Sequence, residues 1–316
     1  MQRSQVAFMI KISVCIPAYK NAAFLKQSLD ALVSQTFKDV EVILSDDSPD
    51  DSVQQIAEAY KPYLPIIYLK NNPAKGTPAN WNYAMKQATG EYLKLMHDDD
   101  WFATEDALQQ YYDCMQANPS VNFCFSAYNN VHIGSGKTTA IFCSSLHRFL
   151  LKQNRYNLFK KNFIGPPSAV FQRNSKEILY DERLKWLVDF EGYIRFLGVH
   201  NKFVYINKCL VNIGLSQEQV TESTKHVKEV VVPESLYFLQ KHGAVILKNI
   251  WVYDYYWRMC RNFEMKDKEA VFAAGWEGEV PEEIKAMLAW QQLFPKWLLN
   301  LGMVSKMLMW CKWVVS

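Results

Sequence analysis

An α/β chain, with a mostly parallel central sheet flanked by helices and a helical C-terminal region, is predicted by three features of the sequence. Apolar runs of strand length alternate with stretches of helical periodicity over the first 126 residues. Such alternation is the pattern of βαβ units, which lay helices on both faces of a parallel sheet. Acidic residues gather directly after two of the apolar runs, in "LSDDS" (44–48) and "MHDDDWF" (96–102). From about residue 225 onward the apolar spacing is helical.

The elements follow in order. "KISVCIPAY" (11–19) reads as a buried strand, and "NAAFLKQSLDALVSQ" (21–35) places Phe24, Leu25, Leu29, Leu32 and Val33 at helical spacing. "VEVILSDDS" (40–48) is a second strand, and "DDSVQQIAEAY" (50–60) a helix with Asp50 or Asp51 as its N-cap. "PIIYLKNN" is a strand, and "TPANWNYAMKQAT" a helix closed by Gly90. "EYLKLM" is a strand, "TEDALQQYYDCMQA" a helix and "VNFCFSA" a strand. Beyond this point "GSGKTT" (134–139) lacks the first glycine of a phosphate loop and reads as a plain loop. "GPPSAVFQR" is a turn and short strand, "LKWLVDFEGYIRFLG" a loop entering a helix closed by Gly198, and "KFVYINKCLVNIG" a hairpin. The expected division is an α/β domain over 1–222 and a helical region over 223–316.

Bulk properties exclude several classes. A net charge of +3 with no Lys/Arg block argues against a nucleic-acid partner. Seven cysteines at irregular spacings, without a CxxC pair, read as reduced thiols in a cytosolic protein. No signal peptide is read in the first ten residues, and no uncharged apolar run approaches the ~20 residues of a spanning helix.

In a parallel sheet, ligands bind outside the carboxyl ends of the strands. Asp46, Asp47 and Asp98 to Asp100 all fall there. Three adjacent carboxylates repel one another, and a hard divalent cation such as Mg²⁺ or Mn²⁺ relieves that repulsion. Asp46 and Asp47 suit a hydrogen bond to a base or ribose. The alternative for each acidic group is an N-cap or Asx-turn. Two such groups at equivalent strand ends point to one shared site.

"ISVCIPAYKNAAFLKQSLDALVSQTFKDVEVILSDDSPDDS" and "GTPANWNYAMKQATGEYLKLMHDDDWF" closely resemble the corresponding segments of family 2 glycosyltransferases, inverting enzymes of the GT-A fold. The resemblance spans roughly residues 10–215. It implies that Pro17, Ala18 and Tyr19 line the nucleotide base, that Asp47 hydrogen-bonds the base, and that Asn82 lies near the nucleotide. "HDDD" matches the family's Asp-x-Asp-Asp metal motif, with His97 at its first position. On that register Asp99 contacts the metal, Asp98 faces the ribose and Asp100 orders the loop. Asp98 and Asp100 are further candidate ligands, and His97 is either a ligand or a neutral loop histidine.

An inverting transferase needs a carboxylate to take the acceptor hydroxyl's proton as that oxygen attacks the anomeric carbon. The family places this base at a helix start. "VDFEGYIRFLG" matches with Asp189 as base, Val188 where a preceding acid is usual, and Glu191 as the alternative. The bland reading is two first-turn acids favoured by the helix dipole. Trp186 and Tyr193 are candidates to stack on an acceptor sugar, with core packing as the alternative for each. "SQEQVT" (216–221) resembles the family's loop over the diphosphate, without the histidine often found there.

Residues 284–316 hold four Trp, four Lys and no acid. Met287, Trp290, Phe294, Trp297, Leu298, Leu301, Val304 and Leu308 fall on one helical stripe, with a kink expected at Pro295. This suits an interfacial helix on an anionic membrane surface, or a helix packed on protein.

The sequence therefore predicts an inverting transferase with Mn²⁺ or Mg²⁺ as cofactor. Its donor would be a nucleotide-diphosphate sugar, most simply uridine-linked, and its acceptor a saccharide or lipid-linked saccharide in cell-surface polysaccharide synthesis. The expected location is cytoplasmic, at the inner face of the cytoplasmic membrane if the stripe is interfacial. Two rival readings are a nucleotidyltransferase on a similar sheet and a non-catalytic sugar-nucleotide or membrane-binding module. "PAYKNAAF" lacks the glycine-rich phosphate loop that the first rival requires.

Overall fold

The computed structural model describes residues 10–175, 179–198, 202–215 and 226–316. The chain forms two compact units. The first comprises Met1–Lys152, Phe163–Glu182 and Gly192–Gln217; the second comprises Gln153–Asn162, Arg183–Glu191 and Glu218–Ser316.

The first unit is built on a nine-stranded mixed sheet. Its strands are β1 (Ile12–Ala18), β2 (Val40–Asp46), β3 (Ile66–Lys70), β4 (Tyr92–Leu95), β5 (Asp100–Phe102), β6 (Phe123–His132), β7 (Thr138–Ile141), β8 (Val170–Arg173) and β9 (Val204–Leu215). The order is β3-β2-β1-β4-β8-β6-β9-β5, with β7 paired to β6. The first four strands run parallel. Every residue of β1 and β2 is buried, which explains why both read as continuous apolar runs without alternation. Helices α1 (Ala22–Val33), α2 (Ser52–Tyr60), α3 (Ala79–Gln87), α4 (Ala107–Gln116) and α5 (Ser145–Gln153) fill the connections. Leu25, Leu29 and Leu32 of α1, Ala57 of α2 and Tyr111 and Met115 of α4 share one core with the sheet.

Because β1 to β4 are parallel, their carboxyl ends share one edge. The opposite edge is tied by a buried carboxylate. Glu41 Oε1 accepts from Ser13 Oγ at 2.6 Å, Thr89 N at 2.6 Å and Gly90 N at 3.2 Å. Gly90 is required there, since a Cβ would stand 2.7 Å from Ser13 Oγ.

The structure corrects one expected element. "KFVYINKCLVNIG" is not a hairpin but most of the single twelve-residue strand β9. It pairs in parallel with β6 through register shifts at Ser126–Tyr128, and these irregularities replace the turn. The "GSGKTT" segment forms the turn between β6 and β7 and the start of β7, with Gly134 and Gly136 at positive φ. "SQEQVT" lies outside the described residues.

The second unit is helical. It contains α7 (Lys228–His242), α8 (Ile250–Asn262), α9 (Lys268–Ala273), α10 (Glu282–Gln292), α11 (Lys296–Leu299) and α12 (Gly302–Val314), together with the first turn of α6 (Val188–Leu197). Trp257 of α8 is its hub. The ring is buried and donates from Nε1 to Ser305 Oγ at 2.9 Å, while Trp257 O accepts from Gln291 Nε2 at 2.9 Å.

The expected single stripe over 287–308 is divided among three helices. Pro295 precedes α11 and separates it from α10. Met287 is buried in the core, and the exposed apolar set shares only Trp297 and Leu301 with that stripe: Leu293, Trp297, Leu301, Met303, Met307 and Trp310 are 49–88% exposed. Among the described residues no helix is long and apolar enough to cross a membrane.

Candidate active site

The shared carboxyl edge of β1–β4 is held by a polar network. Lys20 takes the left-handed region at φ 64, which turns the chain sharply after β1. The turn aims Tyr19 N at Asp98 Oδ2 (2.9 Å) and Lys20 N at Ser48 Oγ (2.8 Å). Pro17 and Ala18 lie buried in β1, whereas the Tyr19 ring is 51% exposed.

Asp46 is fully enclosed. Its oxygens accept from Ser48 N at 2.7 Å, Tyr68 OH at 2.6 Å and Lys70 Nζ at 3.0 Å. Expected beside the nucleotide, this carboxylate is instead committed to the β2 turn. Asp47 accepts from Asn71 Nδ2 at 2.8 Å and from the amides of Lys75 and Gly76 at 3.0 and 2.7 Å, fixing the loop after β3. A carboxylate offers about four acceptor positions, so these three contacts leave Asp47 one more. Asn82, also expected near the nucleotide, is 1% exposed. Its side chain pairs with both backbone groups of Tyr180 at 2.8 Å and donates to Glu182 at 3.0 Å, clamping a distant segment.

The "HDDD" segment follows β4. His97, Asp99 and Asp100 each place a ligand atom within 4.8 Å of the others. Asp100 is buried, accepts from Gly214 N of β9 at 3.1 Å, and hydrogen-bonds Ser168. Burial first, and the Asp99 charge second, push its carboxyl well above the usual range. The same two causes raise Asp98 to about 7, against the pull of the Tyr19 amide. Burial lowers the His97 pKa, so the imidazole is neutral. Its ring packs 4.7 Å from Trp81, and Nε2 is buried with no hydrogen-bond partner among the described residues.

These observations fit a divalent cation. Two carboxyls are held in a place that disfavours their charge, and the Nδ1 of the neutral imidazole stands 3.8 Å from one of them, Asp100. One imidazole and two carboxylates form a donor set suited to Mn²⁺ and tolerable to Mg²⁺.

Three supporting residues were not anticipated. Lys94 lies fully buried under the motif, bonded to Ser168 O and 3.3 Å from Val170 O, with Nζ 4.4 Å above the Tyr111 ring. Burial lowers its pKa to about 7. Ser168 Oγ accepts from His97 N at 3.0 Å, and Gly214 holds Asp100. A lysine inside an apolar strand was the one signal available. Ser168 and Gly214 are more than seventy residues from the motif positions they serve and carry no local signature.

In the second unit, Asp189 stands in the first turn of α6. Burial alone pushes its carboxyl up to about 7. Glu191 is 0% exposed and paired with Lys241 Nζ at 2.7 Å. Trp186 is half-buried just before the helix, and its amide is bound by Glu234 at 2.8 Å. Tyr193, considered for sugar stacking, is fully buried in the first unit. It donates to Gly165 O at 2.9 Å and packs on Phe123 and Phe196, which leaves no ring face for a ligand.

A parallel-edged mixed sheet with an acidic cluster at its strand ends defines a sugar-nucleotide transferase architecture of the GT-A kind. The chain belongs to glycosyl transferase family 2, whose family model matches residues 13–179. It is therefore a glycosyltransferase. Among its relatives, an uncharacterized glycosyltransferase of Methanocaldococcus jannaschii is 26% identical over 204 residues, covering 63% of this chain and 69% of that protein. The Escherichia coli UDP-Glc:α-D-GlcNAc-diphosphoundecaprenol β-1,3-glucosyltransferase WfaP is 32% identical over 117 residues, 37% of this chain and less than half (45%) of that protein. The fold matches residues 1–349 of Staphylococcus aureus TarS in complex with UDP-GlcNAc, with a TM-score of 0.63 at 18% identity, over 95% of this chain and 88% of that one.

Proposed function

We propose that this glycosyltransferase moves a sugar from a uridine-diphosphate donor to a saccharide carried on a lipid, with inversion at the anomeric carbon, in the synthesis of a cell-surface polysaccharide. The observation that carries the donor side is the His97–Asp99–Asp100 cluster beside Asp98 and the Tyr19 amide. Uridine as the base is supported by the TarS complex, and a lipid-diphosphate acceptor by the name of the E. coli relative.

In this reading the exposed ring of Tyr19 covers the base, while Pro17 and Ala18 shape the strand end beneath it. Asp47 takes the base N–H with its remaining acceptor position, and Asp98 takes a ribose hydroxyl. Asp46 and Asn82 act one step back, by holding the loops that carry these groups. Asp99, Asp100 and His97 hold a divalent ion, Mn²⁺ or Mg²⁺, which when bound stabilises the leaving diphosphate as a Lewis acid. Asp189 accepts the acceptor hydroxyl's proton; a carboxyl at about 7 is well matched to that task near neutral pH. Glu191, neutralised by Lys241, is not the base. Trp186 is the aromatic retained for the acceptor side.

The second unit also presents exposed Trp297, Met303, Met307 and Trp310 in a segment with four lysines and no acids. We assign this face to an anionic membrane surface, where a lipid-linked acceptor resides. A peripheral position on the inner leaflet follows.

Calorimetry of UDP with and without Mn²⁺ tests the donor side. Wild type is expected to bind UDP far more tightly with the ion, and Asp99→Ala to lose that difference. Equal affinity in both conditions would remove the metal from the account.

A further inference from the structure

Helix α7 grips the chain on both sides of Asp189. Glu234 is 8% exposed and points its carboxylate at three consecutive backbone amides: Lys185 N at 2.8 Å, Trp186 N at 2.8 Å and Leu187 N at 3.1 Å. These are the last residues before α6. The first amides of a helix have no partner within it, and the helix dipole favours an anion there. Glu234 binds the amides just before that first turn and so anchors the entry to α6 from another element. Seven residues on, Lys241 reaches Glu191, whose buried carboxylate it holds at 2.7 Å. His242, stacked 4.3 Å from Phe238 and 3.3 Å from Tyr156 OH through Nδ1, backs the same contact at 3.9 Å.

Residues seven apart complete two helical turns and share a face. One face of α7 therefore fixes residue 187 and residue 191, with Asp189 between them. Neither contact is an economical source of stability. A buried ion pair recovers little beyond its desolvation cost, and apolar residues of similar volume often stabilise as well or better. What such contacts supply is direction.

We propose that Glu234 and Lys241 are positioning residues that set the carboxylate of Asp189 for proton transfer; this rests on Asp189 being the base. Both belong to the second unit, whereas the strand ends proposed to bind the donor belong to the first. Their loss should appear in the chemical step and not in donor binding. A misplacement of about 1 Å at a reacting group costs ~10²-fold in rate.

The test measures UDP release from UDP-glucose or UDP-GlcNAc with Mn²⁺, using whichever the wild type consumes, on the full chain. The variants are Glu234→Gln, Lys241→Met, Asp189→Asn and the double variants Asp189→Asn/Glu234→Gln and Asp189→Asn/Lys241→Met. Glutamine keeps one acceptor oxygen and disturbs the fold least; circular dichroism checks each variant. The expected result is a kcat loss of ~10²-fold in each single positioning variant, with UDP affinity unchanged. Each double variant should be no slower than Asp189→Asn, because a residue acting only through the base has nothing further to lose once the base is gone. Losses that multiply in the doubles, or that track UDP affinity, would overturn the proposal. So would folded Glu234→Gln and Lys241→Met enzymes at wild-type kcat beside a dead Asp189→Asn. Wild-type turnover by Asp189→Asn would instead show that the base itself was misassigned, and the positioning role would fall with it.

Discussion

Asp189, in its proposed role as base, joins usefulness in catalysis to a cost in stability. Its carboxyl is raised to about 7 by burial. A base must be ionised to act, so kcat is expected to fall as pH drops through about 7, tenfold per unit below it; a flat profile between pH 5 and 8 would contradict the assignment. The linkage sign runs against stability. The folded state holds this proton more tightly than the unfolded chain, so Asp189 contributes stability at low pH that is lost as pH rises through about 7. Asp189→Asn should therefore melt higher than wild type at pH 8 while losing ~10² to 10⁴-fold in transfer. A lower melting temperature would mean that the carboxylate has a partner holding its charge. At this scale the sequence was most legible where charge was concentrated, as in "HDDD", whose repulsion asks for a cation. It was least legible for Asp46 and Asn82. One is an acid at a strand end and the other lies in a segment that resembles the family, yet their side chains are taken by Tyr68 and Lys70, and by Tyr180 and Glu182. Those partners lie 22 or more residues away, beyond the reach of a local motif.

Among the elements, β9 braces the acidic segment after β4. Asp100 opens β5 and pairs with Ile213 of β9, and the next residue, Gly214, passes close to the loop. A Cβ at Gly214 would stand 2.4 Å from Asp99 O, a contact that backbone cannot accommodate without moving. Gly214→Ala should therefore displace the carbonyl of Asp99 and disturb the amide bond to Asp100. Mn²⁺-dependent UDP binding is expected to weaken by ~10- to 100-fold, the usual effect of removing support for a metal ligand, while circular dichroism stays native. Unchanged calorimetric affinity would show that β9 does not govern the motif. The first four strands could be read from the sequence because each is a buried apolar run closed by a turn. β9 could not, because its exposed stretch at Asn207 and Lys208 imitates a turn while the ladder to β6 continues through shifted registers.

For the molecule as a whole, the apolar content of residues 284–316 serves two purposes that periodicity alone could not separate. Ile284, Met287 and Leu288 build the core of the helical unit, so deleting the segment would unfold it. Trp297, Met303, Met307 and Trp310 face outward. The quadruple serine variant of these residues should keep its melting temperature and lose flotation with phosphatidylglycerol vesicles at low salt. A wild-type chain that never floats would assign the face to a protein partner. The acidic strand ends were easier to read from the sequence than the surroundings of Asp189. The acids after β2 and β4 follow apolar runs of strand length, whereas the segment around Asp189 is held by α7, some fifty residues further along the chain. The central claim, inverting transfer from a uridine-diphosphate sugar, is tested most directly by proton NMR of UDP-α-glucose and UDP-α-GlcNAc turnover with Mn²⁺, water serving as the acceptor. The first sugar released should be the β-anomer, appearing with wild type and not with Asp189→Asn. Release of the α-anomer first, or consumption of neither donor, would contradict the account.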